Sequence, residues 1–166
     1  MTVVETLTTA LELMRRTGWV RHHFISPEGH CALGAIRDAQ PDGITDVSLE
    51  SLRAHGVMQD HPFHLPPGFV RYTENKDPAA IAAIGVLAKS VPEAFVKACI
   101  GDYMHSSDLV VARYNNTRTA FDQIEAWFNR AIDLAQAKEM WNELEKAPAV
   151  AEEKELKKGD VVCSLK

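Results

Sequence analysis

The chain has 166 residues, 46% of them apolar and 25% charged, with 18 basic against 23 acidic side chains and a formal net charge of −5. That is enough apolar material for one core of ordinary size without disulfide or metal staples. The basic residues are scattered rather than gathered on one face, so DNA or RNA binding, which must displace counterions from phosphate, is disfavoured.

Three cysteines, Cys31, Cys99 and Cys163, lie far apart with no CxxC pair. This is neither a disulfide framework nor a zinc knuckle, and the expected setting is the reducing cytoplasm. The start, Met1-Thr2-Val3-Val4-Glu5, has no secretory h-region, and no window approaches 18 consecutive apolar residues, so no membrane span is expected.

In chain order, Thr2 and Glu5 have capping-box spacing, and Val4, Leu7, Leu11 and Met14 follow as an apolar helical stripe. Arg15 and Arg16 suit the negative end of that helix, and Gly18 its stop. Ser26-Pro27-Glu28-Gly29 reads as a turn, and Cys31-Ala32-Leu33-Gly34-Ala35-Ile36 as a buried helix packed closely on a neighbour. A further helix is expected from Asp46 to His55, with Val47, Leu49 and Leu52 apolar. Residues 57–76, with Pro62, Pro66, Pro67 and Gly68, read as a long loop, and loops of that length in small domains often bind.

Asp77-Pro78 marks the start of another helix, its inward face drawn from Ile81, Ile84, Leu87 and Ala88. Ser90, Pro92 and Glu93 restart a helix with Phe95, Val96 and Cys99 inward and Gly101 as its stop. The last helix follows Tyr114-Asn115-Asn116-Thr117. It pairs Thr119 with Asp122 as a cap, carries Phe121, Ile124, Phe128, Ala131 and Leu134 on one face, and extends toward Trp141 and Leu144. Gly34 and Gly85 fall inside helices, where a glycine costs about 1 kcal/mol relative to alanine, so a close backbone contact is expected at each. The fold class read from these signals is all-α (mainly α): about six helices in one domain over residues 1–146, with a loosely attached tail over 147–166.

Two segments carry a resemblance. Gly18-Trp19 followed by Cys31-Ala32-Leu33-Gly34-Ala35-Ile36, and Tyr114-Asn115-Asn116 leading to Phe128-Asn129-Arg130-Ala131-Ile132, together resemble a family of small uncharacterised proteins from actinobacteria and their phages. The resemblance covers roughly residues 5–40 and 110–135. Asn116 stands where that family usually has Asp. The resemblance implies a helical fold and a bacterial or phage setting, and brings no known activity with it.

Cys31 is the most suggestive residue for chemistry. At a helix start a thiol feels the positive end of the helix dipole, which favours thiolate. His22 or His105 could then serve as base and Asn115 or Asn116 as orienting amide, in the manner of cysteine hydrolases. Against this, free cysteine is among the most buried residue types, and the segment looks like close helix packing. His61 and His64 with Asp60 could make part of a metal site, but neither HExxH nor paired CxxC is present, so no metal and no cofactor is expected. Asn115 and Asn116 have a structural reading too, as the start of the last helix. Trp19, His23, Phe63, Phe69 and Tyr114 are the candidate contact residues for a ligand.

The expectation is therefore a small cytoplasmic accessory protein, of the host cytoplasm if phage-encoded, that binds a protein or a small molecule and neither nucleic acid nor membrane. The alternative is a cysteine-dependent hydrolase or transferase with Cys31 as nucleophile.

Overall fold

The computed structural model describes residues 1–55, 77–99 and 106–146. Phe63, Phe69, His61, His64, His105 and the expected tail over 147–166 lie outside the described residues. Seven helices and one two-stranded hairpin are present among the described residues, a mainly α fold.

Helix α1, Val3–Thr17, begins with the capping box: Thr2 Oγ1 accepts the Glu5 N–H at 3.1 Å, and Glu5 Oε2 accepts the Thr2 N–H at 2.7 Å. It buries Leu7, Ala10, Leu11, Leu13 and Met14 and stops at Gly18, whose N–H donates to Met14 O. Gly18 has φ 101 and Gly29 φ 135, both open to glycine and strained for other residues. A Cβ on Gly18 would sit 2.2 Å from Glu28 O, and one on Gly29 2.1 Å from Gly18 O. The two glycines thus clamp the end of α1 against the hairpin β1, Ile25–Ser26, and β2, Gly29–His30, which pair antiparallel with Ile25 opposite His30.

Helix α2, Ala32–Asp38, is buried along nearly its whole length. A Cβ on Gly34 would lie 1.9 Å from Phe24 O, so α2 presses directly on backbone there, as its small residues suggest. Helix α3, Leu49–Ala54, is short; its Leu52 packs with Ile25 and Ile44 in a small second cluster, while Leu49 is exposed. Helix α4, Pro78–Lys89, is capped by Asp77, whose carboxylate accepts the N–H groups of Ala79 and Ala80. Its inward face is Ala80, Ala83, Ile84 and Leu87, and Ile81 is 56% exposed, contrary to its expected place in the core. Helix α5, Glu93–Cys99, leads to α6, Ser107–Thr117, capped by Ser106.

Helix α7, Phe121–Lys146, is 26 residues long. It starts with the Thr119 N–H given to Gln123 Oε1 at 3.0 Å, rather than through a Thr119–Asp122 pair. Ile124, Trp127, Phe128, Ala131 and Ala135 are buried, whereas Leu134 is exposed. Trp127 lies at the centre, fully buried, with its indole N–H donating to Leu87 O at 3.0 Å. Its ring meets that of Tyr114 edge-on at 4.7 Å, and Tyr114 meets Phe95 likewise at 5.0 Å. Helices α1, α2, α4, α6 and α7 pack on one another around this core. No helix among the described residues is long and apolar enough to cross a membrane.

Candidate functional site

Five of the residues marked by sequence, His22, His23, Cys31, Asn115 and Asn116, meet where the end of α1, the start of α2 and the last turn of α6 converge. Asn115 and Asn116 do not start the last helix, as their amide chemistry suggested; they occupy the final turn of α6, facing back toward Trp19 and His22. Asn115 is 1% exposed. Its Oδ1 accepts the Trp19 indole N–H at 2.8 Å and the Ala32 N–H at 3.1 Å, and its Nδ2 donates to Val20 O and to Asn116 Oδ1, each at 3.2 Å. One amide therefore uses both of its ends. Asn116 Oδ1 in turn accepts the N–H of His22 at 2.9 Å. His22 is held at φ 67, a left-handed conformation uncommon outside glycine, so this bond fixes a backbone bend that costs on the order of 1 kcal/mol.

Beside this peg lies a small cleft of about 40 Å³, lined by His22, His23, Phe24, Cys31, Leu33, Ala112, Asn115 and Asn116. The two histidines are exposed at its mouth, and Cys31 is buried. Cys31 is the N-cap of α2, and its Sγ accepts the Gly34 N–H at 3.4 Å, a weak cap in place of the usual hydroxyl or carboxylate. Burial pushes the thiol up to about 11 from an ordinary 9.0; the N–H groups of Gly34 and Leu33 pull the other way without overcoming it. The helix-dipole argument thus loses here to desolvation, and at neutral pH Cys31 carries its proton.

The other candidates fall elsewhere. Trp19 is half-buried and tied to Asn115. Tyr114 is buried in the aromatic core, with the Arg118 guanidinium 4.1 Å above its ring, and does not line the cleft. Sequence reading passed over the cluster around His30. This imidazole is fully buried: Nδ1 lies 2.9 Å from Thr17 Oγ1, and Nε2 lies 3.1 Å from Ile44 O and 3.4 Å from Asp38 Oδ2. Asp38 also lies 3.3 Å from the Arg37 guanidinium. Nothing in the local pattern distinguishes His30 from His22 and His23, because its partners come from α1, α2 and the loop before α3. Among the described residues no group of three or more His, Cys, Asp or Glu is placed to hold a metal ion.

The fold and this cleft define a small mainly α domain in which one buried asparagine pegs a Gly-Trp segment to the start of a cysteine-capped helix. The chain belongs to a family of unknown function, DUF6197, whose profile matches residues 1–134 and so ends inside α7. No curated protein and no solved structure matches the chain.

Proposed function

We propose that the chain is a non-enzymatic accessory protein that binds a host protein or a small ligand, encoded by a phage and working in the host cytoplasm. The observation that carries this reading is that the would-be catalytic groups are already occupied: the Cys31 thiol is buried, protonated and used as a helix cap, and the Asn115 amide is spent on Trp19, Val20 and Ala32. The exposed Met140, Trp141 and Leu144 near the end of α7 offer a partner apolar contact area. The phage and host setting rests on the Gly18-Trp19 and Cys31–Ile36 resemblance.

The test is thiol labelling of the native protein across pH, with Cys31→Ala as control. Cys31 that labels only on unfolding supports a binding protein. A second reading, a cysteine-dependent hydrolase or transferase, is favoured by one observation, that His22 and His23 line the same cleft as Cys31. Rapid labelling well below pH 8 that vanishes in Cys31→Ala would move the assignment to that enzyme.

A further inference from the structure

A groove of about 370 Å³ lies between α4, α7 and the start of α1, and shares no residue with the Cys31 cleft. Its volume falls in the range of about 300–1,000 Å³ found for small-molecule sites. The floor is apolar and made of small side chains: Val3, Gly85, Val86 and the buried Ala135. Lys89 and Lys138 stand exposed at its edge, against one lining carboxylate among the described residues, Glu139.

Gly85 gives the second, independent observation. Inside a helix a glycine costs about 1 kcal/mol relative to alanine. At Gly34 the Phe24 backbone explains that cost, but a Cβ on Gly85 would meet no atom of the described residues within 4 Å. The packing of the described residues does not call for a glycine here, and among them the close contact expected from sequence is not found. Its effect is to leave the groove floor open beside Val86, in the middle of the apolar stretch.

We propose that this groove binds an amphipathic organic anion, a carboxylate with an unbranched apolar body, lying along Gly85, Val86 and Ala135 with its charge at Lys89 and Lys138. Apolar burial supplies the affinity, and the two ammonium groups select the anion over a neutral analogue. This goes beyond the binding reading above and stands without it, since no step involves Cys31 or Asn115.

The experiment is calorimetric titration of the full chain with decanoate below its micellar concentration, with decanol as the neutral analogue and anionic phospholipid vesicles as a separate arm. The expected result is saturable one-to-one binding, with decanoate at least about tenfold tighter than decanol. The Lys89→Gln/Lys138→Gln pair, on exposed side chains, should remove that preference and leave decanol binding unchanged. Gly85→Leu should weaken both ligands at least about tenfold while helicity holds and Tm stays the same or rises. Absence of saturable binding, binding unaffected by Gly85→Leu and by the lysine pair, or binding to vesicles alone would overturn the proposal. So would a sedimentation shift in Gly85→Leu without loss of ligand, which would place a second copy of the chain in the groove.

Discussion

Asn115 and Asn116 are neighbours of one residue type with different demands. Asn115 both accepts and donates, so a carboxylate in its place would lose the bonds to Val20 O and Asn116 and bury a charge. Asn116 uses only its oxygen, toward the N–H of His22 and the amide of Asn115, and a carboxylate offers the same acceptor. An aspartate at position 116 would therefore keep both of these bonds. Asn116→Asp should leave stability within about 1 kcal/mol of the parent, whereas Asn115→Asp should cost about 3 kcal/mol, as read by urea denaturation at pH 7.

Cys31 sets a pH dependence of definite sign. Its thiol is held above the ordinary 9.0, at about 11 in the folded chain, so folding disfavours the thiolate. The stability this represents is fully present below pH 9 and is lost as pH rises from 9 toward 11, by up to about 3 kcal/mol at roughly 1.4 kcal/mol for each tenfold fall in proton concentration. Denaturation midpoints measured from pH 7 to 10.5 should fall more steeply for the parent than for Cys31→Ser, whose hydroxyl does not ionise there. Parallel curves would contradict this.

Among the elements, two glycines in helices predict opposite outcomes. Gly34→Ala drives a methyl into the Phe24 carbonyl, backbone that cannot rotate aside, and should cost about 3 kcal/mol or prevent folding. Gly85→Ala meets no described residue and should raise stability by up to about 1 kcal/mol. Thermal denaturation of the two variants separates them by sign. The sequence reads alike at both positions, because a glycine in a helical pattern says nothing about what stands opposite.

The same limit explains the other differences between pattern and structure. The caps of α1 and α4 are legible because every partner lies within three residues. The buried faces of α4 and α7 are less so. Ile81 and Leu134 attract the eye by size, yet the faces that meet the core run through Ala80, Ala83, Trp127 and Ala135, a small rotation that puts alanines at close helix contacts and the indole at the centre. Trp127 stands three residues after Ile124, at helical spacing, and so shares the buried face with Phe121, Ile124, Phe128 and Ala131, while Leu134 turns outward. The sites follow suit. Cys31, His22, His23, Asn115 and Asn116 are identifiable by chemistry, but their meeting at one cleft depends on contacts across most of the chain, whereas the His30 cluster draws on Thr17, Asp38 and Ile44, none more than 14 residues away.

For the whole molecule, the Asn115 peg has a consequence for hydrogen exchange. Its bonds reach Trp19, Val20 and Ala32 across sequence separations of 96, 95 and 83 residues, so they join α6 to the end of α1 and the start of α2. Releasing the Ala32 amide or the Trp19 indole requires the last turn of α6 to part from the junction of α1 and α2. Both protons should exchange with deuterium only through global opening, at rates that shift with denaturant as steeply as unfolding itself. In Asn115→Ala the same two protons should exchange by local opening, uncoupling the Gly-Trp segment from the remainder of the core. The end of α1, the start of α2 and the last turn of α6 thus open as one unit, tied by a single side-chain amide.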